Sequence, residues 1–167
     1  MLKEKLTQDL KDALRSGDAE KRLVLGMLSS VIKNRELEKR SRLSKHGVPE
    51  EELPTKSELT DEEVLEAIVS EAKKRKESIA SFQGAGRAEL AEKEQRELEI
   101  LKPYLPEQMS EEEVRAVVKE VVAQVQPQGP KDMGKVIGQV MANVKGKADG
   151  QVVSKMVQEA LAPTTHA

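Results

Sequence analysis

The chain has 167 residues, a formal net charge of −2, 37% apolar residues and no cysteine. The missing cysteines exclude a disulfide framework and a thiolate metal site, and no apolar run approaches the roughly 20 residues of a membrane span. The near-neutral charge argues against a surface that grips nucleic acid all round, but it is compatible with a local basic patch. We expect a cytoplasmic protein without a membrane or DNA partner.

Aromatic side chains are nearly missing, since Phe82 and Tyr104 are the only two. The cores must therefore be built from Leu, Val, Ile, Met and Ala, a composition that suits packed helices. Apolar residues recur at three- and four-residue spacing along the chain, which is the pattern of helical faces. We predict an all-α protein with an N-terminal four-helix unit, residues 1–105, and a C-terminal three-helix bundle, residues 106–167.

The first predicted helix covers about residues 2–16 and carries a leucine at every fourth position. Gly17 is a C-terminal stop signal for it. The second helix continues to about Arg40, and a polar loop is predicted over residues 41–59. The apolar face of the second helix is predicted to contain Leu23, Val24, Met27, Leu28, Val31 and Ile32.

The third helix is predicted to begin after Thr60, which has the capping-box spacing with Glu63. Gly84 and Gly86 are expected to end it. A fourth, more charged helix follows over about residues 87–101. Its predicted apolar anchors are Leu90, Leu98 and Leu101.

The segment Lys102-Pro-Tyr-Leu-Pro106 cannot be helical throughout, because a proline lacks a backbone donor and restricts the residue before it. We place the domain boundary there. Ser110 and Glu113 then form a second capping box, which opens a valine-striped helix to about residue 126. The remaining helices are predicted over residues 132–145 and 149–161.

A stripe of small residues runs along the helix at 132–145. Gly134, Gly138 and Ala142 lie beside its apolar face. Each helical glycine costs about 1 kcal/mol relative to alanine. We therefore predict that Gly134 and Gly138 permit close packing of a neighbouring helix, with a nearby ligand as the alternative explanation.

The segment Gly129–Val136 imitates the glycine and lysine spacing of a phosphate-binding loop. Its chemistry argues against nucleotide binding, because Val136 occupies the position of the magnesium-binding hydroxyl and Pro130 removes a backbone donor. The preceding valine pattern is also helical, whereas a phosphate-binding loop follows a strand.

Residues suited to catalysis or metal binding are scarce. His46 and His166 lie in polar segments without a partner pattern, and Glu111–Glu113 fit the first turn of a helix, where the dipole favours acidic residues. The chain carries neither the cysteine of a glutaminase nor the serine and lysine of an amidase. We expect no catalytic residue, no metal and no cofactor.

Two basic segments are candidates for RNA contact. Lys73–Lys76 are consecutive and flanked by glutamates, which favours a solvated helix face. The second set lies in the last 40 residues, where lysines flank a glycine in a predicted turn and could neutralise phosphates. The same turn also fits a plain helix connection with a glycine stop. The candidate RNA-binding residues are Lys131, Lys135, Lys145, Gly146, Lys147 and Lys155.

The Met133-Gly-Lys-Val136 motif and the turn Lys145-Gly-Lys-Ala-Asp-Gly150 resemble the tail domain shared by the B subunit of bacterial glutamyl-tRNA(Gln) amidotransferase and the YqeY-like proteins. The segments at 73–79, 86–94 and 104–113 resemble the YqeY pattern, and the catalytic body of the amidotransferase subunit is absent. The chain is therefore identified as a member of the YqeY-like family.

The resemblance implies an RNA-associated protein, because the related amidotransferase tail is implicated in gripping transfer RNA. The partners that the resemblance implies are tRNA and a tRNA-dependent amidotransferase or another translation component. We expect a non-catalytic tRNA-associated or RNA-associated module. The alternatives are an accessory of tRNA-dependent amidotransfer, a carbon–nitrogen ligase reaction with glutamine as amide donor, and a protein adaptor that uses the long second helix.

Overall fold

The computed structural model describes residues 1–144 and 146–162, with Pro130 described by its backbone alone. It divides into two compact units, Met1–Leu105 and Pro106–Ala167. Every regular element in the described residues is helical, which confirms the all-α prediction. The helices are α1 Leu2–Ser16, α2 Ala19–Lys45, α3 Leu53–Ser57, α4 Asp61–Gly84, α5 Ala88–Leu101, α6 Glu111–Val125, α7 Met133–Val144 and α8 Gly150–Leu161.

Local signals determine where the helices begin and end. Gly17 adopts a left-handed conformation with φ of 74° and closes α1, and the Asp18 side chain accepts the Lys21 N–H at the start of α2. Thr60 and Glu63 form the predicted capping box at α4. These contacts satisfy backbone groups that a helix end leaves without partners.

The segment after residue 40 differs from the prediction. Helix α2 continues five residues further, to Lys45, and the predicted loop contains the short helix α3. Leu53 on α3 is buried, and α3 packs on α2. An isolated helix of this length is unstable in water, so its formation depends on that packing.

The core of the first unit is formed by α1, α2, α4 and α5 together with Tyr104. It is almost entirely aliphatic, as the composition requires. Its buried members are Leu6, Val24, Leu25, Leu28, Ile32, Val64, Ala67, Ile68, Ala72, Leu98, Leu101 and Tyr104.

Four predicted core positions instead face solvent. Leu14 is 56% exposed, Leu23 53%, Met27 47% and Leu90 40%. In α1 a step of four residues turns the side chain about 40° around the axis, so three such steps carry Leu14 away from the face of Leu2. In α2 the buried face is shifted toward Leu25, and in α5 and α1 the small residues Ala91 and Ala13 are buried in place of the leucines beside them.

A charged cluster joins α4 to α5. The Arg75 guanidinium lies 3.0 Å from a Glu97 carboxylate oxygen and 3.4 Å from one of Glu94. The Arg75 and Glu97 side chains are only 14% and 7% exposed. Because a buried charge is costly without a partner, removal of either side chain would leave the other unfavourably placed.

Tyr104 anchors the end of the first unit. It lies in a 3-10 turn, Lys102–Tyr104, and its hydroxyl donates a 2.5 Å hydrogen bond to the Asp9 carboxylate on α1. The Lys5 ammonium lies 5.2 Å from the centre of its ring, within the range of a cation–π contact. Tyr104 therefore attaches the last residues of the first unit to α1.

The second unit packs α6, α7 and α8 around a core of eight valines and Met156. Ser110 and Glu113 form the predicted capping box of α6, and the Asp149 side chain accepts the Gln151 N–H at the start of α8. The buried valines are Val114, Val118, Val121, Val136, Val140, Val144, Val153 and Val157. That these 62 residues fold independently stays a prediction.

Tyr104→Phe should lower the free energy of unfolding by about 1–2 kcal/mol, because a buried hydrogen bond to a carboxylate is lost. Urea denaturation at neutral pH measures this.

Burial, followed by the Asp9 hydrogen bond, raises the pKa of Tyr104 above its ordinary value of 10.0. The native state thus favours the neutral phenol, so wild-type stability should fall as the pH rises above about 10. Tyr104→Phe should lack that part of the decline, and parallel pH profiles would contradict this assignment.

Candidate nucleic-acid interface

The basic residues of α4 are largely engaged within the first unit. The Lys73 ammonium lies 3.8 Å from Glu77 and that of Lys74 lies 2.6 Å from Glu71. Arg75 belongs to the charged cluster described above. The predicted solvated face therefore describes Lys73 and Lys74, whereas Arg75 is a structural side chain. In the sequence, the spacing of Glu94 and Glu97, three residues apart on α5, was the signal that could have identified the partners of Arg75.

The candidate lysines of the second unit occupy separate positions. Lys131 lies in the 3-10 turn before α7, Lys135 in the first turns of α7, Lys147 in the connection after α7, and Lys155 on α8. All four are exposed. Lys145 lies outside the described residues. Helix α7 has 12 residues and is about 18 Å long, so Lys135 and Lys147 are at opposite ends of it.

The connection that carries Lys147 is held against the start of α6. The Met109 N–H donates to the Lys147 carbonyl at 2.8 Å, and the Gln108 side-chain amide donates to the Gly146 carbonyl at 3.3 Å. Gly146 adopts φ of 79°, a conformation that a residue with a side chain rarely takes. Gly146 therefore has a structural role in the turn, which is the alternative that the sequence left open beside RNA contact.

The Glu113 carboxylate is held in place at the start of α6 by Ser110. It accepts hydrogen bonds from the Ser110 backbone N–H at 2.7 Å and from the Ser110 hydroxyl at 3.0 Å. These bonds, with a smaller contribution from the positive charge of Lys147, lower the pKa of Glu113. Lys147 therefore lies within the electrostatic reach of a carboxylate.

The predicted close packing at Gly134 and Gly138 is wrong for the described residues. A Cβ built at either glycine meets no heavy atom within 4 Å outside its own helix backbone, and both residues are exposed. The apolar face of α7 turns Val136, Val140 and Val144 inward, so the stripe of small residues faces away from the core. The exposed residues of α7 include Gly134, Lys135, Gly138, Gln139, Ala142 and Asn143.

The structure gives little support to the nucleotide, histidine and metal sites considered from the sequence. In the segment that imitates a phosphate-binding loop, α6 stands where such a loop has a strand, and Val136 is fully buried. His46 is exposed at the end of α2, and His166 lies outside the described residues. Within residues 1–144 and 146–162, no cluster of three or more His, Asp or Glu side chains could hold a metal.

Surface depressions of about 360–460 Å³ occur in the first unit. One, between α2 and α3, is lined by Arg40, Ser41 and Ser44 together with Leu37, Val48, Glu50 and Leu53. Each is open to solvent, and none is a deep cleft. Over the part of the chain that the structure describes, every helix is too short or too polar to cross a membrane.

Comparison with known proteins agrees with the sequence motifs. A model of the Yqey-like protein family matches residues 3–161. The chain belongs to the YqeY-like family. The resemblance to the amidotransferase tail stays a resemblance, since this match identifies the YqeY-like family.

Two fungal proteins are similar to parts of the YqeY-like chain. It is 30% identical over 102 residues to altered inheritance of mitochondria protein 41, mitochondrial, of Candida glabrata, a match that covers 61% of this chain and 48% of that protein. It is 43% identical over 51 residues to uncharacterized protein C22F3.15 of Schizosaccharomyces pombe, which covers 30% of this chain and 42% of that protein. The chain thus spans less than half the length of these relatives.

Gly138→Ala should raise the free energy of unfolding by about 0.5–1 kcal/mol, because alanine is the better helix former and its methyl group meets open space. Gly146→Ala is the matched control and should lower it by about 1 kcal/mol, because φ of 79° strains any residue with a Cβ. Thermal or urea unfolding of the full chain measures both. A loss of stability in Gly138→Ala would restore the close-packing interpretation.

Proposed function

We propose that this YqeY-like protein is a non-catalytic RNA-associated module that binds the phosphate backbone, with transfer RNA the expected class, through the exposed face of α7. The observation that carries the proposal is the charge of this face. Lys135 lies on it and Lys131 lies one turn before it, while residues 133–144 contain no acidic side chain. Within the described chain, neither lysine forms an ion pair.

The shape of the same face supports the proposal. Gly134 and Gly138 leave the helix backbone uncovered beside Lys135, so a phosphate backbone can approach closely. Asp132, the nearest acidic residue in sequence, accepts the Gln128 N–H at 2.8 Å and is half-buried. Its carboxylate is therefore engaged in the turn that leads into α7.

Recognition on this surface would be by shape and charge. Sequence-specific binding of single-stranded RNA commonly stacks bases on aromatic side chains, and the second unit contains no Phe, Tyr or Trp. We therefore propose phosphate contacts from Lys131 and Lys135, with Lys155 on α8 as a separate position. Phosphate contacts distinguish poorly between RNA sequences.

Replacement of both Lys131 and Lys135 by glutamine should weaken binding of a mixed tRNA pool and reduce the slope of log affinity against log salt by about 1.5–2, since two phosphate contacts are lost. Filter binding over a salt series measures both quantities. The control is Lys11→Gln with Lys33→Gln, which makes the same charge change in the first unit. Equal binding by the wild type and the α7 variant would contradict the proposed surface.

A second candidate function, a protein adaptor, is favoured by α2. Leu23, Met27 and Leu37 are about half exposed and recur along one side of this 27-residue helix. Amphipathic helices use such spacing to enter a partner's groove. We propose that α2 binds an apolar groove on a partner protein, and that it does so independently of RNA.

In chemical cross-linking of the native protein, Leu23→Gln with Met27→Gln should abolish a protein cross-link and leave the unfolding midpoint nearly unchanged, because both side chains are exposed. Leu90→Gln, at an exposed leucine on α5, is the control. Persistence of every cross-link in the double variant would rule out α2 as the docking helix.

The name of the Candida glabrata relative describes that protein as mitochondrial. The expected cytoplasmic location of this chain stays a prediction. Accessory action in tRNA-dependent amidotransfer also stays an alternative. It would need a partner enzyme to release ammonia from glutamine and to activate the acyl group, because this chain has no cysteine nucleophile.

A further inference from the structure

Lys147, in the connection between α7 and α8, has electrostatic surroundings that differ from those of the α7 face. Lys147 is held by its backbone carbonyl to Met109 N–H at 2.8 Å, at the start of the segment that enters α6. The next residue, Ser110, binds the Glu113 carboxylate through its N–H at 2.7 Å. Met109 and Ser110 therefore link the Lys147 backbone to the Glu113 carboxylate.

We infer that Glu113 weakens phosphate contact at Lys147, so that the connection between α7 and α8 contributes little to RNA binding while that carboxylate is charged. This inference rests on the proposed function and names the residue that limits the extent of the RNA surface. Glu113 acts here as a specificity-determining residue, because it limits phosphate contact at the connection between α7 and α8.

The position of the Glu113 carboxylate is fixed, and this distinguishes it from its neighbours. It accepts both the N–H and the hydroxyl of Ser110 in the capping box. Glu111 and Glu112 make no hydrogen bond or ion pair to another described residue. A fixed carboxylate loses no side-chain freedom when it repels an incoming anion, whereas a freely rotating one moves aside.

Lys147 is near this carboxylate without being locked to it. Its charge lowers the pKa of Glu113, but it forms no direct ion pair with another described residue. Met109 and Ser110 link the Lys147 backbone to this carboxylate through two hydrogen bonds, so a phosphate that approaches Lys147 also meets a negative charge, and the attraction and repulsion partly offset each other. Both charges are exposed, so the expected effect on affinity is modest and depends on salt.

Glu113→Gln tests the inference with little structural change, because glutamine also completes a capping box. We expect it to tighten binding of a mixed tRNA pool by about 3–10-fold and to increase the salt slope by about one contact. Lys147→Gln alone should change affinity less than about twofold. In the double variant the gain from Glu113→Gln should disappear.

Glu120→Gln is the matched control. It makes the same change in net charge on the same helix, seven residues or about 10 Å further along α6, which exceeds the Debye length of about 8 Å at physiological salt. We expect less than a twofold change in affinity. An equal gain from Glu113→Gln and Glu120→Gln, or a loss with Lys147→Gln as large as with the α7 variant, would overturn the inference.

A second measurement separates this inference from the proposed function. Inorganic polyphosphate, titrated into labelled protein, should shift the Lys147 amide resonance in Glu113→Gln and leave it unshifted in the wild type. Absence of that shift in Glu113→Gln overturns the inference whether or not tRNA binds. Absence of wild-type tRNA binding, with the polyphosphate shift present, overturns the proposed function and supports the role of Glu113.

Discussion

Burial of one narrow aliphatic stripe per helix is the constraint on which the rest of this protein depends. With two aromatic residues in 167, each core is filled by short aliphatic side chains. In the second unit eight of the nine buried core residues are valine. Valine is stiff at χ1, which lowers its helix propensity, so packing against the other two helices supplies much of the stability of each valine-rich helix.

Because only one stripe of each helix is buried, the opposite faces remain available for partners. On α7 the exposed face carries small side chains and Lys135 but no acidic residue. On α2 it includes Leu23, Met27 and Leu37. The two candidate functions arise from this contrast. A polyanion suits a flat basic face with little apolar area, and a protein groove suits exposed leucine and methionine side chains.

The distribution of charge within the fold decides which basic residues are available. Lys74 and Arg75 are engaged by glutamates of α4 and α5. Lys147 lies near Glu113, whose main role is to cap α6. A run of basic residues in the sequence is therefore a poor guide to a binding surface, because helix caps and ion pairs engage or offset charges locally.

The exposed glycines of α7 add a thermodynamic argument. Gly134 and Gly138 each cost the helix about 1 kcal/mol relative to alanine, in a unit close to the lower size of an independent domain. Neither has a positive φ, and neither makes close contact within the described part of the chain. Their cost thus has no compensation inside this unit, which is consistent with close approach of a partner to the exposed face of α7.

The sequence by itself determined the helical class, most helix ends, the valine core and the family. These features depend on interactions between residues three or four apart, such as the capping boxes at Thr60 and Ser110 and the stop at Gly17, and these act within one helix turn. The family motifs are likewise contiguous segments.

The tertiary structure alone decided which of two adjacent stripes is buried and which charges meet. Spacing does not choose between Leu14 and Ala13, because the neighbouring helices that cover one face come from distant parts of the chain. The same holds for the formation of α3 on α2 and for the ion pairs of Arg75 with α5. It also holds for the proximity of Lys147 and Glu113, residues 34 apart in sequence that only the packing of the bundle brings together.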